Sequence, residues 1–288
     1  MAVIRTAIPN KGRLAPDASE LLRAIGLRIP DANDRKLLVD SGKGRYQVLF
    51  ASPWDIPRYV ESGAADVGIT GLDILEEAGN GVERLLPLNF GFCKLCLAAP
   101  EAATVLSSKE IPGGATIATQ FPNLVRSYFR RLGTDVRIVE VRGAAELTPN
   151  IGAADFVADL VETGSTLRMN HLRILDVILE SRAVLVASPT SLEEKGSEIR
   201  ELVSAIESVV EAESRRYLMA NVPVDRLPQV RGFLPGITAP TIMNLIGRQD
   251  MVAMHVVVKE DEVNGVIALL KDAGATGILV VPIERMVV

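Results

Sequence analysis

The 288-residue chain has two cysteines, two histidines, one tryptophan and 4% aromatic residues in all. So few thiols exclude a disulfide-stapled fold, which needs several paired cysteines. No stretch reaches the roughly 18 uninterrupted apolar residues of a membrane span. Lys and Arg number 31 against 36 Asp and Glu, a net charge of −5. That mildly acidic balance argues against nucleic acid or an anionic membrane as partner. Arg5 and Lys11 interrupt the first apolar stretch, which therefore does not read as a secretory leader, and a soluble cytoplasmic protein is the expectation. Neither a P-loop nor a GxGxxG fingerprint occurs.

What is present is a core-forming composition, 48% hydrophobic, enough for about two domains. Cys93 and Cys96 form a C-x-x-C pair on a strand-like run. Residues i and i+3 of a strand point to opposite faces, and zinc would need two further ligands, so two small buried hydrophobes is the reading we adopt.

Strand and helix signals alternate through the first two-thirds. RYQVLF (45–50), ADVGIT (65–70), ATIAT (115–119), VRIVEV (136–141), DFVADLV (155–161) and AVLVAS (183–188) read as strands. Ser52 and Pro53 suggest a helix start, ending near Gly63, and Gly71 a glycine turn. PNLVRSYFRRLG (122–133) has proline first and arginines and glycine last, as a helix should. Such alternation predicts parallel sheets covered by helices. Residues 191–216 carry Ile199, Leu202, Val203, Ile206, Val209 and Val210 on one helical stripe. The last 70-odd residues then run β-α-β-β-α-β: 216–222, a helix at 225–233 interrupted by Pro228, 239–246 and 251–258 joined by a GRQD turn, a helix at 261–275, and a strand at 277–288. That order is the ferredoxin-like unit.

The segment richest in chemistry is DFVADLVETGSTLRMN (155–170). An apolar strand carries Asp159 near its end and opens into Glu162-Thr163-Gly164-Ser165-Thr166. Glycine allows close backbone approach, and consecutive amides with three hydroxyls suit a phosphate. The acids before the turn would repel phosphate but suit sugar hydroxyls, which suggests a ribose 5-phosphate site. The alternative is an ordinary capped strand-to-helix turn. Asn10-Lys11-Gly12-Arg13 and Gly71-Leu72-Asp73 also follow strands. Ligands of open α/β sheets sit beyond the carboxyl ends of strands, where all three loops fall. Lys11 and Arg13 would suit a pyrophosphate or triphosphate, or would simply be solvated loop cations.

With these segments, NKGRL (10–14), DIPRYVESGAADVGITGLDIL (55–75), GAAELTP (143–149), LPGITAPTI (234–242) and LLKDAGATGILVVPIE (269–284), the chain resembles the long-form ATP phosphoribosyltransferases from end to end. The resemblance implies an α/β catalytic region with two lobes of the periplasmic-binding-protein type (type II), and an ACT-like regulatory domain. Lobe I would be 1–94 with 183–212, lobe II 95–182, and the regulatory domain 213–288. It implies that phosphoribosyl pyrophosphate (PRPP) and ATP react with Mg²⁺ to give N1-(5-phosphoribosyl)-ATP and pyrophosphate. Histidine would inhibit at the C-terminal domain, and the chain would form homodimers and hexamers.

Carried onto this sequence, Thr163 to Thr166 would hold the 5-phosphate, and Asp159 and Glu162 the ribose, with Asp159 also catalytic by stabilising positive charge that develops on the sugar. Lys11 and Arg13 would bind phosphates during catalysis, and Gly71, Leu72 and Asp73 would border the nucleotide. Glu146 lies in a matching motif and is grouped with the ATP-binding residues, its precise role unassigned, and no protein ligand for the metal is assigned. Asn221, Gly236, Ile237 and Thr241 match effector positions. Asn10 stands where some members read P-K-G-R. Two rival readings are a prephenate dehydratase with an ACT domain, whose T-R-F motif is absent here, and a non-catalytic small-molecule sensor.

Overall fold

The structure, a computed structural model, describes residues 2–30, 37–79, 81–234 and 240–287. By contacts the chain divides into two units, Met1–Val203 and Ser204–Val288.

The first unit holds two sheets. One is built from β1 (Ile4–Pro9), β2 (Leu38–Ser41), β3 (Tyr46–Ala51), β4 (Val67–Gly71), β5 (Glu83–Pro87) and β11 (Ala183–Ala187), in the order β2-β3-β1-β4-β11-β5. The other contains β6 (Cys93–Pro100), β7 (Thr116–Thr119), β8 (Arg137–Glu140), β9 (Phe156–Val161) and β10 (Leu172–Ser181), in the order β10-β6-β9-β7-β8. β3, β1 and β4 run parallel, as do β9, β7 and β8. β11 enters antiparallel beside β4, and β6 antiparallel beside β9. The sheets are thus mixed, not the parallel sheets that the alternating pattern predicts. In each lobe one strand arrives after the chain has visited, or on its way to visit, the other lobe. That reversal gives the two-lobed binding-protein arrangement.

Central strands are buried on both faces, which explains their unbroken apolar runs: every residue of β4 and β11 is buried. Around the first sheet pack α1 (Ala15–Ala24), α2 (Ile56–Glu61) and α3 (Leu72–Ala78), with Ala7, Ile56, Val60, Leu75 and Val186 in one cluster. α2 begins at Ile56, with Pro57 in its first turn; Ser52 and Pro53 precede it in a turn instead of starting the helix. Gly71 is extended (φ −80°, ψ 142°), not a left-handed turn. α4 (Pro122–Leu132) and α5 (Ser165–Met169) accompany the second sheet. Leu95, Leu97, Ile117, Phe121, Val125 and Phe129 form its main core. α4 ends as its sequence suggests, at Gly133 in the left-handed region (φ 73°).

α6 (Pro189–Glu213) kinks at Lys195. Its stripe of Ile199, Leu202, Ile206, Val209 and Val210 is buried. The second unit contains β12 (Arg215–Pro223), α7 (Leu227–Phe233), β13 (Thr241–Leu245), β14 (Arg248–Lys259), α8 (Val263–Asp272) and β15 (Thr276–Pro282). The antiparallel order β13-β14-β12-β15 is that of a ferredoxin-like sheet. Pro228 lies in the first turn of α7 and does not interrupt it. The hairpin turns at Ile246-Gly247, so Arg248 to Asp250 belong to β14 and not to the turn. Alternate residues Val252, Met254, Val256 and Val258 of β14 are buried with Leu218, Val230, Val266 and Leu270, the signature of a sheet covered on one face. Among the described residues no helix is long and apolar enough to cross a membrane.

Candidate active site

β9 lies between β6 and β7 and ends at Val161. The chain then turns through Gly164, whose φ of 75° belongs to the region that favours glycine, and enters α5. A Cβ on Gly164 would stand 3.2 Å from an Arg168 guanidinium nitrogen. Leu167 anchors the turn from below, buried with Ala98, Ala145, Val157 and Leu172. Glu162, Thr163, Ser165 and Thr166 are exposed, so the turn faces solvent. The hydroxyls of Thr163 and Ser165 are 3.0 Å apart. First-turn amides of a helix have no intrahelical acceptor, and here the Ser165 amide donates to Thr163 Oγ1 at 3.4 Å within the turn.

Asp159 is half-buried, and its Oδ1 accepts the Leu160 amide at 2.8 Å. Burial pushes its carboxyl up to about 6; the Leu160 amide pulls the other way, and the nearby Glu146 carboxylate pushes it further up. Glu146, in the turn Ala145–Leu147, is therefore an electrostatic neighbour of Asp159, although the two are 13 positions apart in sequence.

On the other lobe, Lys11 is exposed on the loop after β1 and Gly12 takes φ 80°. Arg13 is half-buried: it donates to the Gly91 carbonyl and, at 2.9 Å, to Asp73 Oδ1. Asp73 is 1% exposed. The Ser181 hydroxyl donates to its Oδ1 at 2.6 Å, and the Asp73 amide donates back to Ser181 Oγ at 2.9 Å. Asp73, expected to border a nucleotide, faces inward onto Arg13 and Ser181. Gly71 is buried for the same reason, since a Cβ there would meet Asp73 Oδ1 at 2.3 Å. Leu72 is half-buried against the first core.

Cys93, at the start of β6, lies within electrostatic range of groups on both lobes. Burial raises its thiol to about 11; Arg13 lowers it, Asp73 raises it, a hydrogen bond with Ser181 lowers it and Glu162 raises it. One thiol thus senses both the Arg13–Asp73 pair and the acid that opens the Gly164 turn. Both cysteines are free and buried, which fits their reading as small hydrophobes. Ser181 and Gly91 carry no motif, and only the topology that brings both lobe crossings beside Arg13 reveals them.

In the second unit, Asn221 pairs with Ala253, and Thr241 with His255, which also faces Met219. Asn221 and Thr241 therefore share the sheet face opposite the helices. Gly236 and Ile237 lie outside the described residues.

Residues 52–208 match the ATP phosphoribosyltransferase family, and residues 212–285 its C-terminal domain. The ATP phosphoribosyltransferase of Natronomonas pharaonis is 48% identical over 284 residues, 99% of this chain and 100% of that protein. The chain belongs to the ATP phosphoribosyltransferase family. The enzyme of that name from Methanothermobacter thermautotrophicus is 44% identical over 99% of both chains. Among solved structures, a chain of the ATP phosphoribosyl transferase (HisG:HisZ) complex from Thermotoga maritima aligns with a TM-score of 0.64 at 29% identity, covering 73% of this chain and 99% of that one. The present protein is accordingly a pentosyltransferase that joins the phosphoribosyl group of PRPP to N1 of ATP, the first step of histidine biosynthesis. The match to a C-terminal domain of this family makes it a long-form member and excludes the dehydratase and sensor readings.

Proposed function

We propose that PRPP docks its 5-phosphate on Thr163, Gly164, Ser165 and Thr166, with Asp159 and Glu162 at the ribose. The observation that carries this reading is the open Gly164 turn joined to a half-buried acid on the same strand. ATP takes the opposite loops: Lys11 and the remaining guanidinium donors of Arg13 meet phosphates, Gly71 and Leu72 shape the nucleotide's floor, and Asp73 fixes Arg13. Adenine N1 has a free lone pair at neutral pH and needs no strong base to attack C1 of the ribose. The bond from C1 to the pyrophosphate oxygen breaks as the new C–N bond forms. Positive charge grows on the sugar meanwhile, and the Asp159 carboxylate stabilises it from a site partly shielded from water. Glu146 adds negative charge behind it.

No cluster of three metal-binding side chains occurs among the described residues. The carboxylates at the proposed sugar site, Asp159 and Glu162, would suit outer contacts to an ion such as Mg²⁺ carried mainly on substrate phosphates. When bound, the ion would neutralise the departing pyrophosphate. The lobes would be 1–94 with 183–212, and 95–182. Residues 213–288 would form an ACT-like domain that binds histidine on the sheet face of Asn221 and Thr241, and so inhibits the enzyme. Assembly as dimers and hexamers is supported by β15, an edge strand that leaves Leu279, Val280 and Val281 exposed. A cytoplasmic location suits the biosynthetic substrates. The test is pyrophosphate release with wild type and Thr163→Ala at varied PRPP. A raised KM for PRPP with an unchanged KM for ATP is expected; equal KM values for PRPP in both proteins would remove the turn from the site.

A further inference from the structure

α4, on the second lobe, begins without a cap of its own. Its N-cap position is Phe121, which has no side-chain acceptor. Thr119 Oγ1 takes the Phe121 amide at 3.0 Å, and Pro122 has no amide hydrogen. The next two amides, of Asn123 and Leu124, both donate to Glu77, at 2.9 Å to Oε1 and 2.9 Å to Oε2. Glu77 belongs to α3, on the first lobe, and is 6% exposed. Asn123 Nδ2 returns a bond to the Glu77 carbonyl at 3.1 Å. Beside this contact the Trp54 ring of the first lobe lies 5.3 Å from the Phe121 ring of the second. At its other end α3 is tied, through Asp73, to Ser181 at the close of β10.

A cap serving only local stability would come from residue 121 itself. Here it crosses between lobes, and it uses an acid at the positive end of a helix, where charge-assisted bonds are strongest. We propose that Glu77 is an interlobe latch: a positioning residue that holds α3 and α4 together, so that the nucleotide loops of one lobe meet the phosphoribosyl turn of the other. This rests on the reading that the two substrates bind on opposite lobes. Glu77 touches neither substrate in that reading. Its loss lowers the fraction of enzyme in the competent closed arrangement, and apparent affinities fall by that fraction.

The chain has a single tryptophan, Trp54, so its emission reports on one side of this contact. The experiment uses the full-length enzyme with Glu77→Ala and Glu77→Gln, measuring acrylamide quenching of Trp54 without substrate and then steady-state kinetics. Removing two charge-assisted bonds should raise the quenching constant and lift the KM for ATP and for PRPP together by about tenfold, with kcat changed far less. Glu77→Gln keeps one acceptor and should fall between Ala and wild type; it carries the test if the alanine variant does not fold. Unchanged quenching with unchanged KM would overturn the latch, and so would a loss of kcat with unchanged quenching. Failure of the proposed substrate turn is separable, because it shows in Thr163→Ala and leaves the substrate-free quenching of the Glu77 variants untouched.

Discussion

Asp159 presents a conflict between folding and chemistry that a single substitution can expose. Its carboxyl is raised from an ordinary value of 3.8 to about 6, chiefly by burial. A carboxyl whose folded pKa lies above its unfolded one favours folding when protonated. That benefit is whole below about pH 4 and is lost as the pH rises through 6, so at pH 8 the folded protein carries the full cost of a buried charge. A shift of about two units corresponds to about 3 kcal/mol, and the partial exposure of the group reduces this to about 1–2 kcal/mol. Asp159→Asn removes the charge while its oxygen can still accept the Leu160 amide. The variant should therefore be more stable than wild type at pH 8, with a melting temperature higher by roughly 2–8 °C for the first unit. At pH 4.5 the advantage should shrink to about a third, and it should vanish near pH 3. Pyrophosphate release at pH 8 should fall by about a hundredfold or more, as expected when a charge opposite a developing cation is lost. Thermal melts at these pH values and one turnover assay suffice. If the variant melts no higher than wild type at pH 8, or gains equally at pH 4.5, the burial argument is wrong. If it stays fully active, the ribose assignment is wrong.

Further expectations concern neighbouring parts. Gly164→Val forces a branched residue to φ 75° and should cost about 1–3 kcal/mol, read as a lower urea midpoint; it should also abolish PRPP binding by calorimetry while ATP binding persists. Asp73→Ala leaves Arg13 without its buried partner and should destabilise by about 3 kcal/mol, with a raised KM for ATP; an unchanged melting curve would show that the pair is not structural. Truncation after Glu213 should remove inhibition by histidine while substrate-level activity survives; inhibition that persisted would place the effector elsewhere. The wild-type kcat/KM profile should show an acidic limb near pH 6 that Asp159→Asn lacks.

Several of these features are plain in the sequence because their signals are local. α4 announces itself by Pro122, Arg130, Arg131 and Gly133, and each sits where helix-end physics puts it. The Gly164 turn is legible because glycine and three hydroxyls lie together. α2 misleads because Ser52 and Pro53 look like a helix start, whereas the turn they form precedes it and Pro57 marks the true first turn. The mixed sheets escape the alternation argument because β6 and β11 are apolar like their parallel neighbours; direction leaves no mark on a strand buried on both faces. Glu77 and Ser181 are invisible to motif reading for a related reason. Their partners lie 46 and 108 positions away, and a lone glutamate or serine carries no sign of what it will meet.

The placement of β11 also bears on how the polypeptide is made. β4 and β5 do not pair with each other; β11 fills the gap between them. On a ribosome, the first sheet must wait with that slot open until about 100 further residues have been added, roughly 5–20 s at ordinary elongation rates. During that interval the flanks of β4 and β5 offer unsatisfied backbone to any passing chain. Nascent-chain protection by a chaperone is thus most needed between the synthesis of Pro87 and Ala187.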